Sequence, residues 1–246
     1  MAIIVFQHDS SVGVGRLGIA LRDHGFKLDV RRFDLLGKPG AGAPGVRTDM
    51  PTNYDNIEGV IALGGEQNVD DSPRVGWMDS EIAYLKGAHE RQLPVVGVCL
   101  GSQMLAHTLG GKVGLGTAEW GFATVNLSPA GQTEAMLAGV PWSCPQFSAH
   151  NQEVKELPPG ATLLGGSSDC KIQAWKAGLR TYGFQYHFEC DRAAMTNICC
   201  GADDKVDRGE MDAQIGRHYD MFTRAAERLC NNLTILLFPL QRRMTA

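Results

Sequence analysis

A cysteine at the end of an apolar run has the sequence frame of a nucleophile. Residues 94–98 predict a buried strand that runs into the Gly-Val-Cys-Leu-Gly segment of residues 97–101, and a helix is predicted over residues 102–109. A Gly-x-Cys-x-Gly turn between strand and helix is the layout of a nucleophile elbow, here with Cys99 in place of serine. The glycines accommodate the strained turn, and the helix N-terminus favours the thiolate. The alternative interpretation is a buried structural cysteine.

A cysteine nucleophile needs a proton acceptor, and this base needs a third group that fixes its tautomer. His187 and Glu189 lie two residues apart at the end of a predicted strand, so we expect their side chains on the same face. His150, in the Ser-Ala-His-Asn-Gln segment of residues 148–152, is the rival base. The spacing favours a Cys99–His187–Glu189 triad.

Two backbone N–H groups are candidates for stabilising a negatively charged oxygen. Gly64 and Gly65 follow a predicted strand, and glycines there let N–H groups approach a reacting carbonyl. The N–H of Leu100, directly after the nucleophile, would be the second donor. Alone, the glycine pair indicates a plain turn. Beside the elbow it predicts an oxyanion hole at Gly65 and Leu100.

A second glycine motif suggests a different function. Residues 13–18 read Gly-Val-Gly-Arg-Leu-Gly, which matches the G-x-G-x-x-G pattern of dinucleotide sites, and Asp34 stands near the place of a ribose-binding acid. Residues 7–12, however, separate this motif from the preceding strand, whereas the first glycine of a dinucleotide site belongs in the tight turn itself. We therefore interpret it as a glycine-rich loop before a helix.

Strands and helices alternate over the first half of the chain, and the second half is rich in short strands. The predicted strands are Ala2–Phe6, Phe26–Phe33, Ile57–Leu63, Pro94–Val98, Phe122–Leu127, Val154–Leu157, Thr162–Leu164, Ile172–Trp175 and Tyr182–Tyr186. The predicted helices are Arg16–His24, Trp77–Arg91, Ser102–Leu109 and most of Asp191–Cys230. The pattern predicts an α/β fold in three layers, with a mostly parallel central sheet, helices on both faces and a small β-rich insertion.

Composition excludes several classes of protein. The 246 residues carry a net charge of −4 without a basic stripe, which argues against nucleic-acid binding. The apolar run of residues 2–6 is too short for a signal peptide, and no stretch approaches a membrane span. Seven scattered cysteines without a C-x-x-C pair indicate reduced thiols. We expect one cytoplasmic domain over residues 1–246 that binds neither nucleic acid nor membrane.

These segments together resemble the class I, triad-type glutamine amidotransferases, and more specifically their stand-alone GMP synthase-like members. The resemblance runs from about residue 57 to 190 and includes the family's Gly-Gly turn, its Gly-x-Cys-Leu-Gly-x-Gln elbow and its closing Gly-x-Gln-Tyr-His-x-Glu segment. Glu119-Trp120-Gly121 and His150–Val154 match two further family motifs. The resemblance implies a flavodoxin-like sheet.

Three positions depart from the family pattern. Glu66 replaces a proline, which could move the oxyanion loop and adds a negative charge. Phe188 replaces the proline between the histidine and the glutamate of the triad, so that their geometry is less rigidly set. Gln152 replaces an aspartate of many relatives. None of these changes removes a triad residue.

The resemblance implies hydrolysis of a γ-glutamyl amide through a thioester on Cys99, without a metal or organic cofactor. It also implies that Gly64, Gln103, Ala149 and His150 bind the small-molecule substrate, glutamine or another γ-glutamyl compound. Three functions stay open. They are a free-standing γ-glutamyl peptide or amide hydrolase, a glutaminase that passes ammonia to a separate synthetase partner, and a non-catalytic regulatory module with the same fold.

The helical extension of residues 191–246 lies beyond the motifs. Its leucines at positions 229, 233, 236, 237 and 240 could pack as a closing helix against the sheet or form a homodimer contact.

Overall fold

The computed structural model describes residues 1–200 and 206–238. Within these ranges the strands are β1 (Ala2–Gln7), β2 (Leu28–Arg32), β3 (Ile57–Ala62), β4 (Val95–Val98), β5 (Lys112–Leu127), β6 (Ser143–Glu156), β7 (Thr162–Gly166), β8 (Ala174–Ala177) and β9 (Thr181–Phe184). The α-helices are α1 (Gly15–Asp23), α2 (Met78–Glu90), α3 (Leu100–Thr108), α4 (Pro129–Thr133), α5 (Arg192–Cys200) and α6 (Arg208–Asn232). Short 3₁₀ turns cover Phe33–Leu35, Val69–Asp71 and Ala135–Leu137, and a π-helical turn, Leu233–Leu237, follows α6.

The strands form one mixed sheet in the order β2-β1-β3-β4-β9-β8-β7-β5-β6. Neighbouring strands from β2 to β9 run parallel. Apolar residues fill β1, β3 and β4 almost without interruption, as expected for strands covered on both faces. The carboxyl ends of these strands share one edge of the sheet, which places the Gly64-Gly65 turn and Cys99 next to each other.

The remaining strands pair antiparallel and continue the same sheet rather than forming a separate insertion. The strands predicted over residues 122–127 and 154–157 are the ends of a long hairpin of β5 and β6, in which polar residues and glycines hide the strand pattern. The strand predicted over residues 182–186 already ends at Phe184.

Helices cover both faces, so the three-layer α/β prediction is confirmed. On one face, α1 and α6 bury Leu17, Leu21 and Phe222 in one apolar cluster. On the other face, α2 and α3 bury Leu85 and Met104 in a second cluster. Leu17 and Leu21 are four residues apart, which puts both on the inner side of their helix.

The helical extension closes the first face. Leu229, Leu233 and Leu237 are buried, which confirms the packing interpretation for these three, while Leu236 is 50% exposed. Leu240 lies outside the described residues. The homodimer contact and the single domain over residues 1–246 stay predictions. Among the described helices, none has both the length and the apolar character to cross a membrane.

Candidate active site

Cys99 occupies a strained position between β4 and α3. Its backbone φ of 50° and ψ of −110° lie where residues with a Cβ atom are rare, and it is the N-cap of α3. Such strain costs about 1–3 kcal/mol and persists only where the surroundings enforce it. Cys99 is 5% exposed and lines a cavity on this edge of the sheet. This geometry is that of the elbow expected from the sequence.

The two elbow glycines are needed for steric reasons. A Cβ atom at Gly97 would lie 2.6 Å from the carbonyl carbon and oxygen of Gly101. One at Gly101 would lie 2.1 Å from the carbonyl oxygen of Ala62. Helix α3 therefore lies so close to both β4 and β3 that only glycine fits at these two positions.

His187 joins Cys99 to Glu189. Its Nδ1 lies 2.7 Å from Oε1 of Glu189, and its ring lies beside Cys99 at the wall of the same cavity. His187 and Glu189 lie in the turn after β9, so the expected placement of both on one strand face is wrong. Their contact comes instead from the turn, in which the N–H of His187 donates to the carbonyl of Phe147 at 2.8 Å.

The charges around His187 favour its protonated form. Burial lowers the pKa of a histidine, but the charges of Glu189 and of a Cys99 thiolate outweigh burial and raise the pKa of His187 well above its ordinary value. Glu189 is fully buried, and its Oε2 has no hydrogen-bond partner among the described residues. Its charge is thus directed at the imidazole ring.

Burial acts on the thiols of four other cysteines. Burial raises the pKa of Cys190 to about 12, and the charge of Glu189, whose Oε1 lies 3.8 Å from Sγ of Cys190, acts in the same direction. Burial likewise raises the thiol pKa of Cys144, Cys170 and Cys230. These thiols stay protonated at neutral pH, which disfavours them as nucleophiles.

Gln185, which sequence reasoning left without a role, contacts the thiol directly. Its Nε2 lies 3.6 Å from Sγ of Cys99, and its Oε1 accepts from Nε2 of Gln103 at 3.2 Å. Gln103 also donates to the carbonyl of Gln152 at 2.7 Å. On the far side, the carbonyl of Ala149 lies 3.8 Å from Sγ. The signals for Gln185 were its place two residues before His187 and its place in the family's closing Gly-x-Gln-Tyr-His-x-Glu segment.

The glycine turn after β3, Gly64-Gly65, lies beside both His187 and Cys99. A Cβ atom at Gly64 would lie 2.6 Å from Cε1 of His187 and 3.4 Å from Cβ of Cys99. Gly65 lines the cavity together with Leu100. The N–H of Leu100 belongs to the first turn of α3, where the helix itself offers no acceptor. The predicted donors thus lie around the thiol.

A cavity of about 370 Å³ opens over the thiol. This volume is at the lower end of the range for small-molecule sites, about 300–1,000 Å³. Its lining residues include Gly65, Cys99, Leu100, Gln103, Ala149, His150 and His187. Seven of the nine residues predicted for the site therefore face one space. Gly64 lies behind it against His187, and Glu189 lies behind His187.

His150, the rival base, is occupied by a different carboxylate. Its Nε2 lies 2.9 Å from Oε2 of Glu119, and the Glu119 carboxylate also accepts hydrogen bonds from Ser167 and Gln173. Burial would raise the pKa of Glu119, but these hydrogen bonds outweigh it and lower the pKa. Nδ1 of His150 is buried without a hydrogen-bond partner among the described residues. His150 is therefore oriented by Glu119 at the cavity wall.

The departures from the family pattern have local explanations. Phe188 is fully buried and packs edge-on against Phe184 at 5.0 Å, so aromatic packing anchors the turn that carries the triad. Glu66 is exposed at the cavity, and Gln152 donates to Asp70 at 2.8 Å.

The glycine-rich motif of residues 13–18 supports the triad from behind. Gly15 has a φ of +46°, and a Cβ atom there would lie 2.1 Å from the carbonyl oxygen of Glu189. The N–H of Arg16 donates to the same oxygen at 2.9 Å. The motif therefore packs the start of α1 against Glu189.

Within residues 1–200 and 206–238, two buried groups have potential metal-ligand atoms within 4.8 Å of one another. They are Glu119, His150 and Cys170, and His187, Glu189 and Cys190. In both groups the histidine and the carboxylate are hydrogen-bonded to each other, and burial keeps the thiol protonated. Each group thus has the chemistry of a hydrogen-bonded pair beside a neutral thiol.

Comparison with known proteins agrees with this geometry. The Glutamine amidotransferase class-I family model matches residues 21–196. The chain is 34% identical over 134 residues to a GMP synthase (glutamine-hydrolyzing) subunit of Thermococcus kodakarensis, covering 54% of this chain and 66% of that protein. It is 32% identical over 176 residues to the GMP synthase (glutamine-hydrolyzing) of Streptococcus equi, covering 66% of this chain and 32% of that protein. The chain thus spans less than two thirds of either relative.

Solved structures share the fold. A glutamine amidotransferase from Thermotoga maritima superposes with a TM-score of 0.79 at 19% identity, covering 96% of this chain and 98% of that one. A glutamine amidotransferase from Methylobacillus flagellatus gives a TM-score of 0.75 at 24% identity, covering 94% of this chain and 93% of that one. The chain therefore belongs to the class-I glutamine amidotransferases, as the sequence resemblance led us to expect.

Proposed function

We propose that this protein hydrolyses the side-chain amide of glutamine, or of another γ-glutamyl amide, with Cys99 as the nucleophile. The observation that carries the proposal is the strained Cys99 thiol, which lies at the same cavity wall as the His187 imidazole that Glu189 holds at 2.7 Å. A buried thiol at a helix N-terminus beside an imidazolium is the setting in which cysteine acts as a thiolate.

In the first step, the Cys99 thiolate attacks the amide carbon and forms a C–S bond. The carbonyl oxygen becomes an oxyanion, which accepts hydrogen bonds from the N–H groups of Gly65 and Leu100. When the tetrahedral intermediate collapses, the C–N bond breaks and His187 gives its proton to the nitrogen, which leaves as ammonia. A γ-glutamyl thioester remains on Cys99.

In the second step, water attacks the thioester. Neutral His187 now accepts a proton from the water, and the C–S bond breaks to release glutamate and restore the thiolate. Glu189 keeps Nδ1 of His187 protonated throughout, so that the other ring nitrogen is the one that exchanges the proton. Loss of a single oxyanion donor in such a site typically costs about 3–4 kcal/mol of transition-state stabilisation.

Substrate binding falls to the remaining cavity wall. Gln103 and the backbone of Ala149 line the cavity on either side of the thiol, and His150 presents a buried Nδ1 without a partner among the described residues. Glu119 holds the His150 ring through Nε2, and Nδ1 on the other side of the ring is suited to bind the amino-acid end of the substrate. Gly64 contributes by keeping the space next to His187 open.

The ammonia would pass to a separate synthetase. Support comes from two archaeal relatives that are named as a subunit of a GMP synthase, of which the chain covers 66% and 72%. The second candidate is a free-standing γ-glutamyl hydrolase, favoured by a triad and an open cavity that are assembled in the isolated chain. The assembled triad disfavours a non-catalytic module. A cytoplasmic location remains our prediction.

The test is a panel of γ-glutamyl compounds, with release of ammonia or amine and of glutamate as the readout. We expect wild-type turnover and no turnover by Cys99→Ala, with Cys144→Ala, another buried cysteine variant, close to wild type. Turnover of glutamine that rises when a synthetase partner is added supports the first candidate, and full activity on γ-glutamyl peptides alone supports the second. Turnover by Cys99→Ala contradicts both.

A further inference from the structure

A third buried histidine–carboxylate pair lies on the other flank of the glycine turn. His8, directly after β1, is 3% exposed, and Glu81, on α2, is fully buried. Nε2 of His8 lies 2.8 and 3.0 Å from the two carboxylate oxygens of Glu81. The His8 ring stacks on Trp77 at 4.7 Å and lies 6.4 Å from Phe33. None of these residues lines the cavity over Cys99.

Both ring nitrogens of His8 face acceptors. Nδ1 lies 3.0 Å from the carbonyl oxygen of Leu63 and 3.3 Å from that of Gly64, while Nε2 faces the carboxylate. A neutral imidazole has only one N–H, so it could satisfy only one side, whereas an imidazolium satisfies both. Glu81 is the charged group that faces the ring, and the stacked Trp77 brings none. Burial lowers the pKa of His8, but Glu81 and the carbonyls outweigh it and raise the pKa.

The carbonyl of Gly64 belongs to the same peptide plane as the N–H of Gly65. In a planar trans peptide these two groups point in opposite directions, and the described chain contains no cis peptide. A hydrogen bond from His8 to the Gly64 oxygen therefore directs the Gly65 N–H away from His8. Glycine has no Cβ to resist rotation of this plane, so the hydrogen bond is what defines it.

The Leu63 carbonyl ties the same histidine to the nucleophile. This oxygen accepts from Nδ1 of His8 at 3.0 Å and from the N–H of Gly101 in α3 at 3.1 Å. His8 is thus hydrogen-bonded to the backbone on both sides of the site, next to the two predicted oxyanion donors at Gly65 and Leu100.

We propose that His8, kept as an imidazolium by Glu81, is a positioning residue that fixes the Gly64–Gly65 peptide so that the Gly65 N–H is available to the oxyanion. The inference rests on the proposed function, because it assigns a role in stabilising that reaction's charge. His8 does not touch substrate; it acts through the backbone of the turn.

Two double variants test this role with a matched design. Both variants remove the charges of His8 and Glu81. They differ only in whether the amide N–H group at position 8 faces the glycine turn or residue 81. In His8→Asn/Glu81→Gln, the Asn Nδ2 stands where Nδ1 of His8 stood and still reaches the turn. In His8→Gln/Glu81→Gln, the Gln Nε2 stands near the former Nε2 and serves only residue 81. Thermal unfolding of both shows whether the fold is retained.

We expect the His8→Gln/Glu81→Gln variant to lose kcat by about 10- to 100-fold with little change in KM, since an oxyanion donor acts in the transition state. The His8→Asn/Glu81→Gln variant should recover most of kcat. Equal kcat in the two variants, or a loss confined to KM, overturns the positioning role.

A measurement that needs no turnover separates this inference from the proposed function. In ¹⁵N NMR spectra of histidine-labelled wild-type protein at pH 7, we expect both ring nitrogens of His8 to carry protons. One unprotonated nitrogen overturns the inference, whatever the activity. Absence of any Cys99-dependent turnover in the wild type instead contradicts the proposed function, and the positioning role then falls with it, even with His8 doubly protonated.

Discussion

Two buried histidine–carboxylate pairs contact the same glycine turn, and they differ in what the second ring nitrogen meets. In the pair of His187 and Glu189, one nitrogen faces the carboxylate and the ring lies beside Cys99 at the cavity. In the pair of His8 and Glu81, the second nitrogen faces backbone carbonyls. The first histidine can exchange a proton with a reacting group, whereas the second has only acceptors around it.

The difference shows that residue type and burial do not define a catalytic pair. Both histidines are buried, both have a raised pKa, and both bond to a buried glutamate. Only His187 has a nucleophile next to it and lines the cavity. The partner of the second nitrogen therefore decides between chemistry and support.

Neutralising Glu189 and Glu81 one at a time tests the difference in role between the two pairs most sharply. Glu189→Gln should lower kcat by about 10²- to 10⁴-fold, because His187 loses both its fixed tautomer and the charge that raises its pKa. Glu81→Gln at pH 6 should lower it by less than about 10-fold. Steady-state kinetics on the substrate found in the panel measures both, and equal losses would contradict the division of roles.

A methyl group in the glycine turn should have the next largest effect. In Gly64→Ala the new Cβ would lie 2.6 Å from Cε1 of His187, so the imidazole must move away from the thiol. We expect kcat to fall about 10²-fold. Gly13→Ala is the matched control, because no atom lies within 4 Å of its Cβ. Unchanged kcat in Gly64→Ala would show that the imidazole position is not critical.

The smallest effect is a change in pH dependence. Glu81 raises the pKa of His8 against burial, so without its charge the pKa of His8 falls. Above that pKa the histidine loses one N–H, so kcat of Glu81→Gln should decline as pH rises from 6 to 8, by about 10-fold or less. The wild type should show no such decline. Parallel pH profiles of the wild type and Glu81→Gln would contradict this prediction.

The same pair gives a stability prediction of fixed sign. Because the folded-state pKa of His8 is raised, its ion pair contributes to the free energy of unfolding fully below the unfolded-state pKa of about 6.5. This contribution is lost as pH rises through the folded-state pKa. Urea unfolding of wild type and His8→Asn/Glu81→Gln should therefore differ most near pH 6 and least at alkaline pH.

The sequence alone was sufficient for the parallel half of the sheet and for Cys99. A strand of apolar residues that ends in Gly-x-Cys-x-Gly is a local signal, since all its residues are adjacent in the chain. The long β5–β6 hairpin was missed for the opposite reason. One of its faces is partly exposed, so glycines and charged residues interrupt the alternation on which a strand prediction depends.

The supporting pair could not be predicted because its partners meet only in the folded chain. Glu81 lies between Met78 and Leu85 on a helix whose inner face otherwise reads as apolar, and a carboxylate there gives no hint of a partner 73 residues earlier. Gly15 is a similar case. Its motif matches a dinucleotide site, and only the folded structure shows that it makes room for the Glu189 carbonyl.

The central claim is that Cys99 carries the γ-glutamyl group during turnover. The most direct test is acid quenching of wild-type protein during steady-state turnover of glutamine, followed by peptide mapping of the trapped thioester by mass spectrometry. We predict a γ-glutamyl adduct on the peptide containing Cys99 in the wild type, and no adduct on the corresponding peptide of the Cys99→Ala variant. An adduct on another cysteine, or sustained turnover with no adduct on Cys99 at any quench time, would contradict the account.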